Sequence, residues 1–325
     1  MNQGELEEIK AAYFNPDCIR EAPRRLYRSM IGGQRYYHGE PGPVAADGKA
    51  RVRLFPSVTT VIAATTPMAP YLLDWISQHG KRRAEYLRDS RAAYGTTLHI
   101  LLADLVIAGT CDLDALPEVV EMRRQTEGFD FETSYWAAEL AQDIVGFVSA
   151  WQKLRAKALA IEVPLASDRL GYAGTVDLVI EADIERGVGA GRPKVVSREI
   201  CLFDWKSSRT AFYDSGAIQV NAYKRLWEEA FPELPIVSTW QYGCSDWDDT
   251  SRQRYRLREE TDHQLAGLFP SLLDQWKIRQ SKTRASLSLK GKVSLTSSVE
   301  ASIVSEPVEV ALANRLAERA AKRGV

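Results

Sequence analysis

The chain has 325 residues, 45% of them hydrophobic and 26% charged, with a formal net charge of −1. That length and balance fit one large domain or two small ones with a real apolar core, and exclude a disordered or fibrous chain. The near-zero charge also excludes a global cationic field, so any nucleic-acid binding has to come from local cations.

No stretch approaches the length of a membrane span, and the polar, acidic start Met-Asn-Gln-Gly-Glu-Leu-Glu-Glu is unlike a secretory signal. Four cysteines, Cys18, Cys111, Cys201 and Cys244, show no pairing pattern, which points to a reducing cytoplasm.

Taken in chain order, residues 1–56 read as a lead-in. The Gly/Pro-rich segment 38–43 separates Arg35–Tyr37 from Arg51–Phe55, the pattern of a hairpin. Residues 57–160 read as a helical region. Apolar spacing turns helical from Ser57 to about Gly109, with breaks at Pro67, Pro70 and Gly80, and a second helix is predicted over Ser134–Ala160. Residues 161–280 read as a strand-rich core. Strands are predicted at Ile161–Ala166, Tyr172–Glu181 and Glu199–Lys206, then a helix at Tyr213–Ala230, strands at Ile236–Cys244 and Arg252–Arg258, and a helix at Thr261–Gln280. Residues 281–300 are Ser/Thr/Lys-rich and linker-like, and 308–323 fit one short helix within a tail spanning 281–325.

Chemistry concentrates between 171 and 223. Asp177 leaves one apolar strand and Asp204-Trp205-Lys206 interrupts another. Strand side chains alternate faces, so Asp204 and Lys206 share one side while Trp205 points to the other. Carboxylates beside a lysine suit a magnesium-dependent phosphodiesterase, because magnesium favours one or two carboxylates, several waters and a phosphate. Gln219 and Tyr223 follow four residues apart, on one helix face.

Each residue also has a bland reading. Asp177 can cap a strand end, Asp204 and Lys206 can be a buried structural pair, and Tyr223 can be core. His99, on the apolar helix segment Leu98–Leu102, can be a satisfied core histidine, and Glu162 an exposed strand residue. Gly187–Gly191 resembles a phosphate loop, but it lies between two strands with Pro193 after it and reads as a hairpin loop.

Gly95-x-x-x-His99, Gly174-Thr-Val-Asp177, Asp204-Trp-Lys206 and Gln219-x-x-x-Tyr223 stand in an order and spacing that resemble the RecB-like branch of the PD-(D/E)XK nuclease superfamily. Phe55–Thr60 is similar to the entry segment of phage-type and mitochondrial exonucleases in that branch.

The resemblance covers roughly residues 50–260. It implies an α/β fold: a PD-(D/E)XK restriction-endonuclease-like core, a mixed central sheet flanked by helices, with an N-terminal helical insertion. It implies His99, Asp177, Asp204 and Glu162 as ligands of Mg2+ or Mn2+. Lys206 would assist water or the transition state, and Gln219 and Tyr223 would position substrate and lysine. Some members carry an iron–sulfur cluster, but the cysteines here lack that clustering and none is expected.

The implied activity is a metal-dependent DNA exonuclease of phage or bacterial recombination and repair. A structure-specific or defence-related endonuclease is the alternative, and a non-catalytic DNA-binding subunit is a third. The implied partners are DNA and a single-strand annealing or binding protein. Basic runs at Arg20–Arg28, Lys81–Arg91 and Arg279–Lys292 read either as solvated faces or as phosphate contacts. Lys81, Arg82, Arg83, Arg209, Lys282 and Arg284 are the residues assigned to DNA.

Overall fold

The computed structural model describes residues 19–40, 53–68, 70–127, 133–187, 195–209, 212–245, 254–282, 287–290 and 302–305. Its centre is a five-stranded mixed sheet in the order β4 (Lys157–Ser167), β5 (Tyr172–Arg186), β6 (Val195–Lys206), β7 (Ser238–Cys244), β8 (Tyr255–Glu259). β4, β5 and β6 form an antiparallel meander. Helix Asp214–Ala230 then carries the chain over to β7, which runs parallel to β6, and β8 returns antiparallel.

Helices cover both faces, so the fold is α/β. The helices are α1 (Val58–Thr65), α2 (Pro70–His79), α3 (Lys81–Ala108), α4 (Leu116–Glu127), α5 (Thr133–Lys153), α6 (Asp214–Ala230) and α7 (Phe269–Lys282). One apolar layer joins α3, α4 and α5 to Leu178, Ile180, Ile184, Phe203 and Trp205. The other joins α1, α6 and α7 to Val163, Leu165, Val179 and Leu202. The helical region and the strand-rich region therefore share their cores. Among the described residues no helix is long and apolar enough to cross a membrane.

The breaks read from the sequence fall where expected. α1 starts at Ser57, whose Oγ accepts from the Thr60 N–H at 3.0 Å. Gly80, at φ 74°, separates α2 from α3, and Gly109 ends α3 in the left-handed region, its N–H donating to Leu105 O at 2.8 Å. Strands β2 (Gln34–His38) and β3 (Leu54–Pro56) pair antiparallel, as the hairpin reading requires. Arg186 pairs with Val195 at the end of the antiparallel β5–β6 ladder, and residues 188–194 of the glycine-rich stretch lie outside the described residues.

Four boundaries differ from the sequence reading, each for a local reason. Strand β1 (Tyr27–Ile31) pairs with β2 across Gly32-Gly33, whose φ values of 57° and 79° meet the demand of a two-residue hairpin turn. α5 stops at Lys153 and Arg155 turns to φ 45°. Residues 157–160, read as helix, instead begin β4 by pairing with β5, so edge pairing overrides alanine's helix preference. The last helix begins at Phe269 and not Thr261, with Pro270 in its first turn, where a missing N–H costs nothing. In the tail, β9 (Leu287–Lys290) pairs antiparallel with β10 (Ser302–Ser305), inside a stretch read mostly as linker. The helix expected over 308–323 lies outside the described residues.

Candidate metal centre

The last pair of the β5–β6 ladder is Leu178 with Phe203. One residue further on, Asp177 and Asp204 stand at the same level of adjacent strands. There the Trp205 N–H donates to Asp177 Oδ2 at 2.8 Å, a side chain taking the place of a ladder carbonyl. On the other side of β5, Glu162 falls between the pairs Ile161–Leu178 and Val163–Val176.

Both strands change phase at this level. Ile161 and Leu178 pack in the α3–α5 layer, while Val163 and Val176, two residues along, pack in the α6–α7 layer. An unbroken strand keeps residues two apart on one face. Glu162 absorbs the change at φ 47°, a left-handed conformation costing ~1–3 kcal/mol for a residue with a side chain. The carboxylates thus sit where both helical layers can reach them.

From the first layer comes His99 on α3. Its Nδ1 is 3.1 Å from Glu162 Oε1 and 3.9 Å from Asp177 Oδ1. Its Nε2 is 3.2 Å from Trp205 O, and its ring stands edge-on to the Trp205 indole at 5.4 Å. A carbonyl can only accept, so Nε2 carries a proton and Nδ1 is the atom presented to the carboxylates. Gly95, one turn earlier, permits this close approach, because a Cβ there would stand 3.1 Å from Ser207 Oγ.

From the second layer come Gln219 and Tyr223 on α6. Gln219 Nε2 donates to Asp204 Oδ1 at 2.9 Å and contacts Tyr223 OH at 3.1 Å, while its Oε1 accepts from Lys206 Nζ at 3.1 Å. Lys206 Nζ also lies 2.6 Å from Asp204 Oδ2. Asp204 and Lys206 face this layer and Trp205 the other, as strand alternation requires. Gly174 makes room for the Tyr223 ring, since a Cβ would meet its Cε1 at 2.4 Å.

Electrostatically the site is short of positive charge. Burial pushes Asp204 up to about 6; Lys206 pulls it down and Asp177 pushes it further up. Burial also raises Asp177, against the pull of His99. Burial lowers His99, but Asp177, hydrogen-bonded Glu162 and Asp204 outweigh it and bring the imidazole up to about 9. Burial holds the Tyr223 phenol well above its ordinary value.

His99, Glu162 and Asp177 offer ligand atoms that all lie within 4.8 Å of one another. Neighbouring ligands of a six-coordinate ion with ~2.1 Å bonds stand roughly 3–4 Å apart, so this group fits a small divalent cation. Asp204, expected as a fourth ligand, is not in that group; both of its oxygens are turned to Gln219 and Lys206.

No family model matches this chain, and no curated protein matches it significantly.

The cations assigned to DNA divide. Lys81, Arg82 and Arg83 are exposed at the start of α3. Lys81 lies five turns before His99 on the same helix face, roughly 27 Å away at 1.5 Å per residue. Arg209 does not face solvent as that assignment requires. Its side chain is 10% exposed, with Nη2 2.6 Å from Asp143 Oδ1 and Nη1 donating to Ser245 O at 2.8 Å. A guanidinium committed to a buried carboxylate is not offered to a phosphate. The Lys282 side chain and Arg284 lie outside the described residues.

The sequence reading also missed Asp143 and Glu139, two buried acids on α5, and Tyr37, whose OH meets Thr175 Oγ1 at 2.8 Å beside the site.

Proposed function

We propose that this chain is a divalent-metal-dependent deoxyribonuclease with a PD-(D/E)XK core that works from DNA ends. One observation carries the reading: a tight imidazole–carboxylate group, His99, Glu162 and Asp177, beside a lysine held by Asp204 and Gln219. The element order supports it too, with a histidine-bearing helix, three antiparallel strands, a crossover helix and a parallel fourth strand.

His99 through Nδ1, Glu162 and Asp177 would hold Mg2+ or Mn2+. When bound, the ion would polarise the scissile phosphate and make a coordinated water more acidic. The Trp205 carbonyl holds the Nε2 proton, so Nδ1, which faces the carboxylates, is the atom that would give up its proton to take the ion. Gln219 fixes the Lys206 ammonium through one amide oxygen while its amide nitrogen steadies Asp204. Lys206 is then poised to donate to the attacking water or to a non-bridging phosphoryl oxygen, where negative charge grows. No covalent intermediate is required of any side chain.

End-dependence rests on the helices ahead of the sheet. α3 brings the cationic start Lys81-Arg82-Arg83 and the His99 centre onto one rod, so a strand reaching the centre along α3 would be held through its phosphates with little base preference. The test is digestion of linear and covalently closed circular DNA of one sequence with Mg2+ or Mn2+, and with excess chelator. The expected result is metal-dependent degradation of the linear form to short products while circles survive. Rapid linearisation of circles hands the reading to an endonuclease. Absence of cleavage with either metal overturns the nuclease reading.

A further inference from the structure

The chain leaving β6 is tied to the helical layer by a second buried ion cluster. Arg209 stands three residues after Lys206. Its Nη2 meets Asp143 Oδ1 at 2.6 Å, and its Nε lies 3.6 Å from Glu139 Oε1. The Asp143 side chain is 1% exposed, and its other oxygen accepts from Tyr94 OH at 2.6 Å. Tyr94 directly precedes Gly95, little more than a turn before His99 on α3. One carboxylate therefore grips both the stretch of helix that leads to His99 and the stretch of chain that follows Lys206. Between these grips the two segments touch at Gly95 and Ser207.

We infer that Asp143, with Tyr94 and Arg209, is a positioning residue that sets the approach of the His99 helix to the Lys206 strand end. The physical ground is directional. The Tyr94 hydrogen bond to one oxygen of the buried carboxylate has narrow geometry and a close ion pair holds the other oxygen, whereas the apolar contacts of α3 tolerate sliding. A displacement near 1 Å at a centre of this kind costs on the order of 100-fold in rate. The functional meaning rests on the metal-dependent reading above; the clamp itself can be tested without it.

A Cβ built on Gly95 lies 3.8 Å from Ser207 Cβ, the separation typical of a disulfide, about 3.8 Å. Gly95→Cys combined with Ser207→Cys therefore reports the approach in the full-length chain without metal or substrate. The pair is placed in the otherwise native chain and in Asp143→Asn, with near-UV circular dichroism checking the fold and peptide mass mapping separating the new crosslink from native thiols. Arg209→Lys is carried in parallel, in case Asp143→Asn does not fold. Crosslinking is expected to slow at least ~10-fold when the clamp is broken. Mn2+ affinity, read by electron paramagnetic resonance on the reduced protein, is expected to weaken ~10-fold, and oxidation of the pair to restore it. Equal crosslinking rates overturn the clamp, and slowed crosslinking with unchanged Mn2+ affinity overturns its link to the site. Native protein that binds no Mn2+ sinks the metal reading instead, and the crosslinking rates still decide the clamp.

Discussion

Two clusters of buried charge meet the chain as it leaves β6, and they are built on opposite plans. Around Asp143, two arginines, Arg91 and Arg209, face two carboxylates, Glu139 and Asp143, with the Tyr94 hydroxyl donating into the group. Around Asp177, three carboxylates, Glu162, Asp177 and Asp204, face one lysine and one histidine. The first cluster closes its own charge. The second is closed only by taking up protons or a cation: its carboxylates outweigh burial and bring His99 up to about 9, while burial, with Asp177 beside it, pushes Asp204 up to about 6. A closed cluster fastens elements together, and an open one is a place for an ion.

Substitutions can break this comparison. Arg209→Met leaves Glu139 and Asp143 with one arginine and should cost ~3–5 kcal/mol in denaturant unfolding, because a carboxylate is stranded in the core; a loss below 1 kcal/mol would mean that the cluster is not a fastener. Lys206→Ala should instead leave a cooperatively folding protein with cleavage reduced at least ~100-fold. Near-native turnover removes Lys206 from the chemistry.

His99→Ala should raise the metal concentration for half-maximal cleavage at least ~10-fold with a smaller effect on melting. A large thermal loss with an unchanged metal response would make His99 a packing residue.

The same chemical change should have opposite signs in the two clusters. In chelated protein at pH 8, Asp143→Asn lowers Tm, because it leaves the Arg209 guanidinium facing a neutral amide although burial raises Asp143 as well, whereas Asp204→Asn raises it by ~2 °C or more, since Asp177 adds to burial in pushing that carboxyl up to about 6. Two changes of the same sign would erase the distinction.

The smallest effect is on pH. Asp204 and His99 both have raised values in the fold, so between about pH 4 and 9 the folded protein holds more protons than the unfolded chain. Stability of the chelated protein therefore falls with rising pH, first as Asp204 ionises up to about 6, then as His99 deprotonates through about 9. Saturating Mg2+ should flatten the upper part of the slope, because the ion takes the place of the proton. Denaturation midpoints at pH 5, 7 and 9 with and without Mg2+ measure this. Stability that rises with pH in chelator contradicts it.

What could be read from the sequence was local. Strand alternation placed Asp204 and Lys206 together, helical spacing placed Gln219 with Tyr223, and glycine, serine and proline marked the ends of α1 to α3. What could not be read depends on partners far along the chain. Arg209 looks like a free cation beside a D-x-K motif until Asp143 and Glu139 arrive from α5. The Ala-rich start of β4 looks helical until β5 pairs with it. Nothing in the spacing around Glu162 announces a left-handed residue, since the change of phase is imposed by two strands jointly. The Gly32-Gly33 turn and Pro270 are local signals, a glycine pair suited to a two-residue hairpin and a proline suited to a helix's first turn.

Mn2+ binding to the chelator-stripped full-length chain, followed by electron paramagnetic resonance, tests the open cluster most directly. The account predicts saturable binding in native protein that is lost in Asp177→Asn and weakened in Glu162→Gln and His99→Ala, while Arg83→Ala, at the far end of α3, binds normally. Native-like Mn2+ binding in folded Asp177→Asn, or none in the native chain, would contradict it.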